Sequence, residues 1–205
     1  MKVLLINGSP KKEGNTFAAL SEVAAALENN GVKTQIICIG NKAVQGCIAC
    51  NKCDELGRCV FNDEPYNTVR EELKDADGLI IGSPVFYAEP NGSLCALLDR
   101  IFYSCSELLE YKPGASVAVA RRGGTTATFD RLNKYFTITN MPVVSSQYWN
   151  IIHGLLPGEV SQDAEGLQIM RTLGKNMAWL LQNIKKGAEP VPEAEEQQQR
   201  TNFIR

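Results

Sequence analysis

The sequence lacks a basic excess. Its 21 basic and 23 acidic residues leave a net charge of −2. Proteins that grip nucleic acid neutralise phosphates with a clear surplus of Lys and Arg, so no nucleic-acid partner is expected. Long hydrophobic runs are also missing. No stretch approaches the ~20 apolar residues of a membrane helix, so no membrane partner is expected either. The opening "MKVLLINGSP" has one Lys and four apolar residues in a row before Asn7, unlike a signal peptide. The expected setting is cytoplasmic, where thiols stay reduced.

Hydrolytic signatures are absent as well. There is no G-x-S-x-G elbow and no H-E-x-x-H pair. Histidine occurs once, at His153, with no acid or nucleophile motif beside it. A solitary histidine of this kind reads as structural. No phosphate loop of the G-x4-G-K-S/T type is found. Gly8 and Gly14 are separated by five residues, and Asn15 stands where the Lys would be. A G-x-G-x-x-G turn is missing too, which disfavours ATP and the usual dinucleotides.

What the chain does contain is cysteine in one place. Cys47, Cys50, Cys53 and Cys59 form a C-x2-C-x2-C-x5-C run in "QGCIACNKCDELGRCVFNDE". The total of seven cysteines is odd and fits poorly with a complete disulfide framework. Three thiols at successive spacings of three, with a fourth close by, suit an iron–sulfur cluster. Structural zinc more often takes two C-x2-C pairs separated by a longer spacer. Free thiols, or a reversible disulfide in a thiol redox sensor, are the remaining alternative. Cys38, Cys95 and Cys105 fall in expected strands or helices and read as small buried hydrophobes.

Along the chain, buried-strand and helix patterns alternate. "KVLLIN" (2–7), "KTQIICI" (33–39), "GLIIGSP" (78–84), "SVAVAR" (116–121) and "MPVVSS" (141–146) read as strands. Residues 15–30, 65–74, 91–109, 124–139 and 161–185 read as helices. The cysteine run falls in a loop over roughly 40–64. Alternating strands and helices imply a parallel sheet covered on both faces. Five strands fit an α/β, flavodoxin-like three-layer sandwich of order 2-1-3-4-5. One domain is expected over 1–187. Residues 188–205, rich in Pro, Glu and Gln, read as a disordered tail or an arm on a partner subunit.

In such a sheet, ligands bind beyond the carboxyl ends of the strands. The turn "NGSPKKEGNTF" after the first strand leads into a helix and suits an anion. Ser9, Asn15 and Thr16 offer side-chain donors, and Lys11 offers charge. With ATP and dinucleotides disfavoured, a monophosphate of the FMN type remains. After the third strand, Pro84 stiffens the loop and Phe86 and Tyr87 offer aromatic surface to a planar ring. After the fourth, Arg121 stands beside Gly123 and Gly124, whose exposed amides suit the polar edge of a flavin.

Taken together, "GSPKKEGNT", "GSPVFY", "RRGG" and "CIACNKCDELGRC" resemble the NADPH-dependent FMN reductase superfamily, and most closely its iron–sulfur flavoprotein branch. The resemblance covers roughly residues 1–150. It implies bound FMN, with Val85 joining Pro84, Phe86 and Tyr87 in an isoalloxazine loop. It implies that Cys47, Cys50, Cys53 and Cys59 hold a 4Fe–4S cluster. It also implies dimers or tetramers in which the cluster of one subunit serves the FMN of a neighbour. The expected function is an FMN-dependent oxidoreductase. NAD(P)H or ferredoxin would donate electrons, and a quinone, a free flavin or oxygen would accept them.

Overall fold

A computed structural model of the chain describes residues 1–187 and 189–192. Of the tail expected over 188–205, residue 188 and residues 193–205 therefore lie outside the described residues.

The sheet is built from β1 (Lys2–Asn7), β2 (Lys33–Cys38), β3 (Gly78–Phe86), β4 (Glu89–Pro90), β5 (Gly114–Ala120) and β6 (Ile151–His153). Its order is β2-β1-β3-β5-β6, with every neighbouring pair parallel. The two-residue β4 turns back antiparallel on the end of β3. Counting only the parallel strands, this is the expected 2-1-3-4-5 order.

Helices cover both faces. On one side lie α1 (Asn15–Glu28) and α6 (Ala164–Lys186). On the other lie α3 (Glu64–Asp75), α4 (Gly92–Ser104) and α5 (Thr125–Ile138). A one-turn α2 (Cys53–Leu56) falls within the cysteine segment. The apolar runs of the strands divide by parity, because successive side chains point to opposite faces. Val3, Leu5, Ile80, Ala115 and Val117 pack with α1 and α6. Leu4, Ile6, Leu79 and Ile81 pack with the opposite layer. Both faces are therefore dry, and this explains why the strands read as continuous apolar runs rather than alternating ones.

The fifth parallel strand is not where the sequence pattern put it. Residues 141–146 contribute a single bridge, Gly114 to Val143. Pro142 has no N–H to give, and the polar segment that follows leaves the sheet. The chain rejoins β5 at Ile151–His153, registered against Ala118–Ala120. Between them the buried Asn150 lends its carbonyl to the Ala118 N–H at 3.0 Å, taking a ladder position with an irregular backbone. Tyr148 and Trp149 thus fall before the last strand. Cys105 is buried as expected, but Cys38 and Cys95 are only partly covered.

Candidate functional site

The carboxyl ends of β1, β3, β5 and β6 open on one cleft of about 240 Å3. Ser9, Lys11, Asn15, Thr16, Pro84, Val85, Phe86 and Arg121 all line it. Tyr87, Gly123 and Gly124 do not. Tyr87 stands fully exposed at the tip of the β3–β4 hairpin. Its φ of 51° and the 64° of Ala88 form a two-residue turn with both positions left-handed, the backbone that a tight hairpin needs. Neither residue is a glycine, so the turn carries strain beside the cleft.

Gly124 serves the cleft from behind. Its φ is 90°, and a Cβ there would stand 2.7 Å from both Ala88 Cα and Val85 Cγ1. Its bareness lets the hairpin pack against the start of α5. Gly123 is exposed on the same turn.

The first loop is shaped by a side chain that sequence reading passed over. Asn7 is fully buried at the end of β1. Its Oδ1 accepts from the Ser9 N–H at 3.0 Å, and Ser9 Oγ accepts from the Lys11 N–H at 3.1 Å. The turn is thereby curled toward the start of α1. That helix begins at Asn15 with no side-chain cap, so its first N–H groups and its positive dipole end face the cleft. Asn91 was also passed over. It caps α4 by accepting from Ser93 N–H at 3.1 Å and donates to Gly8 carbonyl at 2.7 Å, tying the loop after β3 to the loop after β1.

The segment after β6 completes the wall with Gly154, Leu155 and Pro157. It was missed because the fifth strand was misplaced. Asn15 holds this segment. Its Nδ2 donates to the Leu156 carbonyl and its Oδ1 accepts from the Gly158 N–H, both at 2.9 Å. Glu159 accepts from the Leu155 and Leu156 N–H groups at 2.7 and 2.8 Å, and these bonds hold its carboxyl below the usual range. His153 takes a structural place on β6. Its N–H donates at 2.8 Å to Asp163, which also caps α6.

The cysteine segment forms a second site at the end of α4. Cys47, Cys50, Cys53 and Cys59 line one small cavity, about 20 Å3, walled by Ile48, Val60, Phe61, Arg100 and Tyr103. Ala49 and Asn51 have φ of 51° and 56°. These left-handed positions on either side of Cys50 curl the chain tightly enough to turn successive thiols toward one space. Cys47 and Cys50 form the exposed side of this cavity. Among the described residues, no three Cys, His, Asp or Glu side chains converge on the position of a single ion.

Hydrogen bonds already point at the sulfurs. Ala49 N–H donates to Cys47 Sγ at 3.4 Å and Arg100 Nε to Cys59 Sγ at 3.2 Å. Tyr66 Oη accepts from the Cys59 N–H at 2.8 Å and pairs with Ser104 Oγ at 2.7 Å. Burial, aided by the Asp54 carboxylate, pushes the Cys53 thiol up. Four thiols around one cavity, with N–H donors on two of the sulfurs, are a donor set of the kind that iron–sulfur clusters take.

A doubly wound parallel sheet with an anion-ready turn after β1 and a cleft along its carboxyl edge defines a mononucleotide-binding protein of the flavodoxin-like class. Comparison with known proteins narrows this. Residues 1–155 match the family described as NADPH-dependent FMN reductase. The chain is similar to an iron-sulfur flavoprotein of Methanocaldococcus jannaschii, 36% identical over 194 residues that span 91% of this chain and 100% of that protein. An iron-sulfur flavoprotein of Methanosarcina thermophila is 28% identical over 193 residues, 92% of this chain and 100% of that one. Among solved structures, RosB with a bound flavin intermediate superposes with a TM-score of 0.71 at 13% identity, covering 100% of this chain and 94% of that one. An archaeal flavodoxin superposes with a TM-score of 0.62 at 18% identity, covering 89% and 99%. These two show the fold. The chain belongs to the NADPH-dependent FMN reductase family and is an FMN-binding, flavodoxin-like oxidoreductase. No described helix is long and apolar enough to cross a membrane.

Proposed function

We propose that this protein is an electron-transfer flavoprotein that holds FMN in the cleft and a 4Fe–4S cluster on Cys47, Cys50, Cys53 and Cys59. The single observation that carries the reading is that all four thiols of the run line one cavity, apart from the cleft. The two groups supply the chemistry when bound: FMN takes two electrons or one, and a cluster takes one at a time.

The chain's own residues divide the work. Ser9, Lys11, Thr16 and the open end of α1 would hold the phosphate. Pro84, Val85 and Phe86 would flank the ring, and Arg121 would place positive charge where the reduced flavin gains negative charge. NAD(P)H or a ferredoxin-type carrier is the proposed donor, and a quinone, a free flavin or oxygen the acceptor. A homodimer or homotetramer is proposed because Phe86, Tyr87, Leu155 and Leu156 leave large apolar surfaces exposed at the mouth of the cleft.

Cys50→Ser tests the cluster directly. The variant is expected to lose iron and keep FMN. Full iron occupancy in that variant removes these cysteines from the reading.

A further inference from the structure

Among the described residues, the largest fully buried side chain is a cation. Arg100, on α4, is 1% exposed. Every hydrogen bond of its guanidinium ends on the cysteine segment. Nε donates to Cys59 Sγ at 3.2 Å, Nη1 to the Gln45 carbonyl at 3.1 Å, and Nη2 to the Phe61 carbonyl at 3.3 Å and to Asp63 Oδ1. Its Cζ lies 4.7 Å from the centroid of the Tyr66 ring and 5.5 Å from that of Phe61.

Removing a cation from water costs several kcal/mol before its partners offset it. Asp63 is its one ion-pair partner among the described residues, and the second carboxylate oxygen of Asp63 is buried with no partner of its own. A loop that needed only to be tied down would be held at lower cost by a neutral side chain. A buried cation on a sulfur is better matched to a sulfur that carries negative charge. Four thiolates around a cluster form such an anion. The reduction potential of such a cluster follows its net charge and the hydrogen bonds to its sulfurs.

We propose that Arg100 is a positioning residue that raises the reduction potential of the group ligated by Cys59, with Asp63 as its opposing counter-charge. The inference rests on the cluster reading above. One electron, supplied by dithionite in a titration, adds one negative charge at the cysteine site and no atom. A fixed positive charge beside Cys59 favours that reduced state, and a fixed negative charge opposes it. The two residues should therefore act with opposite sign.

The test compares the native protein, Arg100→Met and Asp63→Asn, all prepared anaerobically. Iron and FMN per chain are measured first, then the midpoint potential of the iron signal by dithionite titration under a redox-mediator set. Methionine keeps much of the bulk of Arg100 but removes its charge and its N–H donors. Asparagine keeps an oxygen for Arg100 to bond and removes the counter-charge. Arg100→Met is expected to lower the potential and Asp63→Asn to raise it, with the flavin potential unmoved. Unmoved iron potentials, or shifts of the same sign, overturn the inference while leaving the cluster reading intact. If Arg100→Met fails to hold iron, Asp63→Asn decides alone, and an unchanged or lowered potential overturns the inference. Native protein without iron overturns both.

Discussion

Asn15, the first residue of α1, and Gly158, beyond the last strand, are 143 positions apart and joined by a 2.9 Å hydrogen bond. A second bond of 2.9 Å from Asn15 reaches Leu156. Together they close the cleft by tying the loop after β6 to the anion turn after β1. Each such bond has a net worth of about 1 kcal/mol, so Asn15→Ala is expected to weaken FMN binding roughly tenfold. Titration of flavin fluorescence checks this. Unchanged affinity would mean that the last loop holds its place without Asn15.

Ser9 and Thr16 are both buried at the floor of the same cleft. The double variant Ser9→Ala, Thr16→Ala is expected to weaken FMN by roughly tenfold or more, from about 1 kcal/mol per lost donor. Riboflavin, which lacks the phosphate, should bind the variant and the native protein alike. Equal losses for both flavins would place these hydroxyls away from the phosphate.

Gly124→Ala introduces a Cβ 2.7 Å from Ala88 Cα on a residue whose φ is 90°. Strain of about 1–3 kcal/mol is expected from the backbone alone. The hairpin must also retreat, so FMN affinity should fall together with stability in urea. Native stability with native affinity would show that the hairpin moves freely.

Much of this arrangement is written locally, and some of it is not. The strands were legible because a strand buried on both faces must be apolar throughout, as "KVLLIN" and "GLIIGSP" are. The turn after β1 was legible because glycine, proline and serine cluster there. The fifth strand was misread because "MPVVSS" has better strand character than "IIH", yet pairing with β5 is decided by where Asn150 and Ile151 fall against Ala118. That error hid Gly154, Leu155 and Pro157. Asn7 and Asn91 were overlooked for a different reason. Asn7 bonds Ser9 only two positions on, and its part in shaping the turn shows only through its burial at the end of β1, whereas Asn91 reaches Gly8, 83 positions away, which no local pattern reports. Arg100 looked like one charge on a helix. Its burial depends on how the cysteine segment folds over α4.

Asp63 carries a pH prediction. Burial works to raise its pKa, but the hydrogen bond and charge of Arg100 outweigh burial and hold it below its ordinary value of 3.8. A carboxyl depressed in the folded state contributes stability above its unfolded value, and that contribution is lost as pH falls through the folded value. The native protein should therefore exceed Asp63→Asn in stability at pH 7, with the gap closing as pH drops below about 3.8. Urea denaturation at several pH values measures it. A gap independent of pH would show that the charge of Asp63 contributes nothing to the fold.

The most direct measurement is the visible absorption spectrum of anaerobically purified protein, read together with its iron content. Flavin bands riding on a broad brown shoulder that bleaches under mild oxidant, with about four irons per chain as a 4Fe–4S cluster requires, are the expected result. A clean yellow flavin spectrum with no iron would contradict the cluster and leave a flavoprotein whose four clustered thiols serve another purpose.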